Sequence, residues 1–389
     1  MSVDIVVGLG WGDEGKGRVV DLLGAGAAAV ARFSGGANAG HTVVIGGETV
    51  VLHQLPTGLL REGVLGLVGA GCVIDPVALC AEAEALGERG SDMMSRLRLS
   101  PRAHLVHPVC RVLEKSDERS RGPGAIGTTG FGIGPAYVRK YARKGIRLED
   151  ALDRSLLEEL SSIAVAETAG LDAAFDLEAG AAAFVESALK IAPLARDTGP
   201  IVADLAARGG TVLAEGAQGT LIDPDHGTYP FVTCGSCVAG SACVSLGFGP
   251  SLVGEVVGVM KAYATRVGAG PFPTEITGET GDRIRERGRE YGRATGRPRR
   301  CGWFDAVLSR YAARLNGCDR VALTLLDVLD EFDEIPVCTS YAGVPQDEVP
   351  VGRSLGRCVP VYEKLPGWKT DIAGERRWES LPARAREYV

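Results

Sequence analysis

An α/β fold like that of P-loop NTPases, with a largely parallel central sheet, flanking helices and a helical insertion, is what the 389-residue sequence predicts. Three features lead to it. First, VDIVVGL (3–9) is a short β-branched apolar run that ends in glycines and precedes VVDLLGAGAAAVARF (19–33), which begins as a helix. Strand, glycine loop, helix is the setting a phosphate-binding loop requires. Second, short apolar runs alternate with segments of helical spacing, as in strands joined by crossover helices. Third, residues 148–209 turn alanine-rich with helical periodicity, which marks an inserted group of helices.

Taken in order, AAVARF (28–33), GETVVLHQL (47–55), GVLGLVGAGCVI (63–74) and RLRLS (96–100) read as strands, and PVALCAEAEALGER (76–89) as a helix. After the helical stretch the chain returns to strands in TVLAEGAQG (211–219), SLVGEVVGVMKAYATRV (251–267) and RVALTLLDVLD (320–330). No internal repeat, low-complexity tract or Pro-rich linker interrupts it, so residues 1–389 are expected to form one domain carrying the insertion at about 148–209.

A hydrophobic content of 45% and a charged content of 23%, without a long apolar run, exclude a disordered chain and a membrane span. No basic segment precedes the first apolar run, so no signal peptide is expected and the location follows as cytoplasmic. The ten cysteines are scattered through apolar segments and read as buried reduced thiols. Cys234, Cys237 and Cys243 cluster locally, but no second pair or histidine group completes a zinc site. A net charge of −7 argues against a general nucleic-acid binder. The exception is local: eight arginines lie between Arg283 and Arg300. Without interleaved aromatics beyond Tyr291 they suit forked recognition of small anions better than base stacking.

Chemistry concentrates in the loops. Gly10 to Lys16 has the spacing of a phosphate loop, yet Gly17 stands where a Ser or Thr would hold magnesium. Lys16 occupies the position that reaches β- and γ-phosphates, with loop amides as the cradle. Asp13 inside such a loop would repel phosphate unless a cation intervenes, so it reads as a metal ligand, a general base, or both. Residues 34–42, SGGANAGHT, combine a glycine-rich turn with Asn38 and His41, and His41 reads as an acid facing a leaving group or as a structural histidine. AIGTTG (125–130) and GAQGT (216–220) look like further anion or nucleotide loops.

Together, WGDEGKG (11–17), NAGHT (38–42), IGTTGFGIGPAY (126–137), EGAQGTLIDPDHGTYPFVT (215–233), ATRVGAGPFPTE (264–275), ATGRPRRCGW (294–303) and LDVLD (326–330) resemble the motifs of the adenylosuccinate synthetase family, and the likeness runs to YEKLPGW (362–368). The resemblance implies an enzyme that joins L-aspartate to IMP with hydrolysis of a nucleoside triphosphate and with magnesium (Mg2+). It implies that Asp13 and the Gly40 carbonyl hold the metal, that Asp13 also removes the purine ring proton, that Lys16 holds the transferring phosphoryl group and that His41 bonds the leaving diphosphate. The donor nucleotide would meet Gly12, Glu14, Gly15, Lys16, Gly17, Gly40, His41, Thr42 and Asp327. IMP would meet Asp13, Asn38, Thr129, Gln218, Thr233 and Arg297, with Arg143 reaching it from a neighbouring subunit, which implies a homodimer. Aspartate would be clamped by Thr295, Arg297 and Arg299. Nucleic acid and membrane are not among the implied partners.

Departures from the family pattern fall on the donor half. The family carries a lysine before LDVLD that packs on guanine, and this chain has Leu325; a later Ser-Thr-Gly-Pro loop over guanine is absent from the 389 residues. Fewer groups bonding guanine imply a relaxed donor choice with ATP as an alternative to GTP. Elsewhere only Ser34, Ala37, Phe131, Ala294 and Pro298 differ from the family pattern. Phage relatives that act on dGMP with an adenine nucleotide lack the loop Asp, so Asp13 favours a hypoxanthine-like substrate. A specialised paralogue acting on a purine analogue or on dGMP is the alternative. A non-catalytic nucleotide binder is disfavoured, because it has no need of base, acid and second-substrate clamp together.

Overall fold

The computed structural model of the chain describes residues 2–45, 47–168, 170–171, 175–292, 296–345, 348–350 and 352–389. Seven strands form one sheet: β1 (Val3–Gly8), β2 (Ala29–Arg32), β3 (Leu65–Val68), β4 (Leu97–Leu99), β5 (Val212–Gly219), β6 (Val253–Lys261) and β7 (Arg320–Thr324). Their order is β7-β6-β1-β5-β2-β3-β4, and the pairs β2/β3, β2/β5, β3/β4 and β6/β7 are parallel. The strand sequences explain the burial. Val3, Ile5, Val6 and Val7 of β1 and Ala29, Val30 and Ala31 of β2 are all buried, as expected of strands covered on both faces.

By its contacts the chain divides into two compact units. The first comprises Met1–Val7, Lys16–Gln218 and Thr233–Val256. Its helix α1 (Lys16–Leu23) ends in a 3₁₀ turn at Gly24–Gly26, which is why the long alanine-rich run yields a short helix and then β2. The helices Pro76–Ala85, Arg154–Ala166, Leu177–Ile191 and Thr198–Ala207 each start on an aspartate, Asp75, Asp153, Asp176 and Asp197, that accepts a backbone N–H of the first turn. Each cap contributes about 1 kcal/mol. Leu157, Phe184, Ala188 and Ile191 from these helices pack with Leu79, Met93, Leu97 and Leu99 in one core, where each large side chain adds roughly 2 kcal/mol by leaving water.

The second unit comprises Gly8–Gly15, Gly219–Val232 and Val257–Val389. Its core joins Tyr263, Ile284, Cys301, Phe332, Ile335 and Trp368. Strand Ala264–Arg266 pairs antiparallel with Arg300–Gly302, and the helix Ala306–Asn316 is capped by Asp305.

Several expected elements come out differently, among them the strand segments 63–74, which stops at Val68 and resumes as the separate Val73–Ile74, and 320–330, which ends at Thr324 before the 3₁₀ turn Leu326–Leu329. The segment 76–89 is interrupted: the first helix stops at Ala85 and a second, Glu88–Arg96, starts after Gly87, whose φ of 57° lies in the left-handed region that glycine favours. The segment 251–267 breaks into β6 and Ala264–Arg266. Strand Glu48–Leu52 pairs with His41–Ile45 in a separate hairpin rather than joining the sheet. All ten cysteines are free, with Cys72, Cys110, Cys237, Cys301 and Cys338 buried but Cys234 exposed. Among the described residues no helix is long and apolar enough to cross a membrane.

Candidate functional site

Several candidate residues lie in loops just after sheet strands, with residues 10–15 after β1, residues 34–40 after β2 and Asp327 after β7. After β1, the loop Gly8–Gly15 is held by its own glutamate. Glu14 is buried, and its Oε1 accepts the N–H groups of Gly10 at 3.0 Å and Gly12 at 2.9 Å. A Cβ on Gly8 would lie 2.4 Å from that carboxylate, so the loop closes only around glycine. Thr324 Oγ1 donates to the Glu14 carbonyl at 2.7 Å. Glu14 therefore turns inward and takes two amides that a phosphate loop would offer to its ligand.

Asp13 is one of five non-glycine residues with positive φ among the described residues, at 60°, a conformation that costs about 1 kcal/mol and presents its carboxylate outward. Its Oδ2 lies 2.8 Å from Arg299 Nε, a charge contact without the alignment of a hydrogen bond. Arg299 Nη1 is bonded to Glu290 Oε2 at 2.7 Å. Burial pulls the Arg299 value down, but the Asp13 and Glu290 carboxylates outweigh it and leave it above the ordinary arginine value.

In the first unit, His41 is buried at the start of its hairpin strand, and its Nδ1 bonds Glu215 Oε1. Parallel register sets Glu215 of β5 against Arg32 of β2, both buried. Glu215 Oε2 accepts Thr57 N at 3.1 Å and Thr57 Oγ1 at 3.2 Å. Burial holds His41 below the ordinary histidine value despite the carboxylate beside it. Burial pushes Glu215 up, but His41, Arg32 and Thr57 together leave it below the ordinary carboxylate value. A neutral His41 facing an ionised Glu215 donates from Nδ1 and presents a bare Nε2, which is buried without a partner. Gly17 permits the close approach of α1, since a Cβ there would sit 2.8 Å from the Cβ of His41. Lys16 is buried at the start of α1.

Gly35, at φ 85°, brings the loop after β2 against the end of β5: a Cβ on it would lie 2.5 Å from Ala217 Cβ and 3.1 Å from Gln218 Nε2. Asn38 Oδ1 and Gln218 Oε1 are buried and lack hydrogen-bond partners. Gly40 is exposed and Thr42 half-buried. Thr129 is exposed, in a loop where Ile126, Gly127 and Thr128 donate their N–H groups to Glu118 at 3.1, 2.8 and 3.2 Å. Arg143 is exposed at φ 62° with no ion-pair partner among the described residues, and Thr233 is half-buried. No hydrogen bond or ion pair among the described residues ties Thr129, Arg143 or Thr233 to His41, Asn38 or Gln218.

In the second unit, Gly12 and Gly15 supply the positive φ angles of the loop, at 97° and 93°. Asp327 is half-buried in the 3₁₀ turn after β7, and its carbonyl accepts Arg287 Nη2 at 2.8 Å. Leu325 has a φ of 58° and is 37% exposed, unusual for leucine on both counts. Arg297 is exposed, and Thr295 lies outside the described residues.

Sequence reasoning did not single out Glu215, Thr57 or Arg32 around His41, nor Glu290 beside Arg299. For Glu215 a signal existed: a lone carboxylate inside the apolar run TVLAEGAQG is rarely buried without a charged or polar partner.

As to a metal, the Asp13 carboxylate and the Gly40 backbone carbonyl are hard oxygen donors of the kind magnesium prefers. No cluster of three or more His, Cys, Asp or Glu suited to a metal occurs among the described residues.

Residues 5–389 match the family of adenylosuccinate synthetases. An adenylosuccinate synthetase of Solibacter usitatus is 48% identical over 99% of this chain and 91% of its own length, and that of Moorella thermoacetica 47% identical over 100% and 93%. Among solved structures, the fully ligated adenylosuccinate synthetase of Plasmodium falciparum superposes with a TM-score of 0.95 at 35% identity, covering 100% of this chain and 93% of that one. A succinoaminodeoxyadenylate synthetase of cyanophage S-2L, bound to dGMP and to dATP as an energy donor, gives a TM-score of 0.60 at 26% identity over 83% of this chain and 84% of its own. The unbroken match from the first strand to the last residue carries the conclusion: this chain belongs to the adenylosuccinate synthetase family of carbon–nitrogen ligases.

Proposed function

We propose that this protein joins the amino group of L-aspartate to C6 of IMP, with a nucleoside triphosphate driving the reaction through a 6-phosphoryl intermediate. The observation that supports this most is the set of buried polar atoms without partners: His41 Nε2, Asn38 Oδ1 and Gln218 Oε1. Buried polar groups in native proteins are nearly always satisfied, so unsatisfied ones in family motifs fit atoms reserved for a ligand.

On this reading Asp13 takes the N1 proton of the purine as O6 attacks the γ-phosphorus and the diphosphate departs. Lys16 and the N-terminal amides of α1 steady the charge on the transferring group. His41, held at Nδ1 by Glu215, takes up a proton at Nε2 as the anionic substrates bind, and that N–H then donates to the leaving diphosphate. The aspartate amine then attacks C6, and phosphate leaves with the former O6. The residues act mainly by positioning and electrostatics. Magnesium, when bound, neutralises phosphate charge. Asn38, Thr129, Gln218 and Thr233 bind IMP, Arg143 does so from the second subunit of a homodimer, and Thr295, Arg297 and Arg299 bind the carboxylates of aspartate. Gly12, Gly15, Gly17, Thr42 and Asp327 belong to the donor half. A cytoplasmic location fits the ten free cysteines.

For the donor, Leu325 in place of the family lysine supports a relaxed choice, with ATP accepted beside GTP. For the acceptor, Asp13 and the closer likeness to the Plasmodium enzyme favour IMP over dGMP. Following product absorbance with IMP or dGMP against GTP, ATP and dATP tests both points. Turnover of IMP with GTP and ATP is expected; turnover of dGMP alone would move the protein to the other branch, and IMP turnover with GTP alone would refute the donor reading.

A further inference from the structure

We infer that Glu290 is a positioning residue for aspartate, holding Arg299 in the orientation in which it receives a carboxylate; this rests on the reading of Arg299 as part of the aspartate clamp. Glu290 is 1% exposed and is met by three donors. Lys261 Nζ lies 2.7 Å from Oε1, the Tyr263 hydroxyl bonds the same oxygen, and Arg299 Nη1 lies 2.7 Å from Oε2. Lys261, itself buried, also donates to Thr265 Oγ1 at 2.8 Å. An ionised carboxylate buried this deeply is tolerable only because it is paired and fully bonded.

The backbone reinforces the geometry. Arg299 N donates to the Glu290 carbonyl at 2.8 Å, Tyr291 bridges Pro298, and Gly292 N donates to the Arg297 carbonyl at 2.8 Å. Arg285 Nε donates to the Arg299 carbonyl at 2.9 Å. Residues 290–292 and 297–299 therefore run side by side, and the second of them carries another proposed aspartate contact, Arg297. Glu290 pins the two segments together.

Lys261 and Arg299 are two cations beside two carboxylates, the buried Glu290 and the exposed Asp13, so the cluster is balanced in charge. Arg299 lies toward Asp13 through Nε, and its Nη2 has no hydrogen-bond partner among the described residues. A guanidinium with one nitrogen bonded and another free is prepared for an incoming carboxylate. Without Glu290 nothing in the cluster would keep Nη1 from rotating onto Asp13, where the clamp would be lost.

The test compares Glu290→Gln, the neutral pair Lys261→Met/Glu290→Gln and Arg299→Met, each checked for folding by thermal melting. Glu290→Gln and the double variant should raise KM for aspartate at least about 10-fold, the scale of a lost charge-assisted hydrogen bond, with KM for IMP and the donor nearly unchanged. Persistence of the defect in the double variant separates loss of the Arg299 contact from an unpaired buried lysine. If folded Glu290→Gln and the double variant keep the parent KM for aspartate while Arg299→Met raises it, the inference is wrong and the clamp reading stands. If Arg299→Met also leaves that KM unchanged, the clamp reading itself is wrong. A parallel rise of all three KM values would equally overturn the inference.

Discussion

Glu215 holds the Nδ1 side of His41, so the other ring nitrogen is the one left without a partner. The pair spans two strands of the first unit's fold and is backed by Thr57 and Arg32, so the ring's orientation is set before any ligand arrives. Replacing Glu215 by Gln keeps the shape but removes the charge that fixes the tautomer. We expect kcat to fall by roughly 10- to 100-fold, as for other carboxylates that orient a functional histidine, with KM for IMP little changed. Initial rates across IMP concentrations check this; an unchanged kcat would remove His41 from the chemistry.

Arg143 is exposed, has no ion-pair partner among the described residues and sits at φ 62°. No ion pair or side-chain hydrogen bond among the described residues accounts for it. Arg143→Ala should leave the thermal midpoint within about 2 °C, as surface changes do, while raising KM for IMP at least about 10-fold through loss of a bond to phosphate. Sedimentation of the parent protein should give a dimer. A monomer, or an unchanged KM, rejects the role across an interface.

Leu325 occupies a left-handed conformation with a half-open side chain at the end of β7. Leu325→Lys restores the cation of the family pattern. The ratio of kcat/KM for GTP over ATP should then rise about 10-fold, the usual scale of one base-discriminating contact. An unchanged ratio would place donor selection elsewhere.

His104 and His107 are buried, and burial lowers both to about 4 from an ordinary 6.5. His107 is neutral in the fold: Nε2 meets Ser161 Oγ at 2.9 Å and Nδ1 accepts Val109 N at 3.3 Å. Between those two values the unfolded chain binds protons that the folded chain does not. Stability should therefore fall as pH drops from 6.5 toward 4, on the order of 2 kcal/mol for each histidine. Urea titrations at several pH values read this directly, and His107→Gln should flatten part of the slope. A flat profile in the parent protein would show that neither histidine is neutral in the fold.

What the sequence discloses and what it conceals follow from distance along the chain. β1 and its loop are legible because a β-branched run, glycines and Lys16 sit within a dozen residues. The break at Gly87 was missed because alanine and glutamate around it keep helical spacing, and only the positive φ ends the helix. Glu48–Leu52 and the apolar run after Thr42 are each legible as strands, but their pairing in a hairpin apart from the sheet is not. The same limit governs the site. His41, Asn38 and Gln218 stand in short motifs, whereas Glu215 lies 174 residues from His41 and meets it only through a side-chain contact in the folded chain. The inward turn of Glu14 depends on positive φ at Gly12 and Asp13, which spacing does not reveal.

The most direct test of the account follows the oxygen at C6. With IMP carrying ¹⁸O at that position, L-aspartate, GTP and magnesium, mass spectrometry should find the label in the released phosphate and none in the purine product, adenylosuccinate. Adenylosuccinate formed with unlabelled phosphate would contradict the 6-phosphoryl route, and no adenylosuccinate with any donor would contradict the proposed ligation itself.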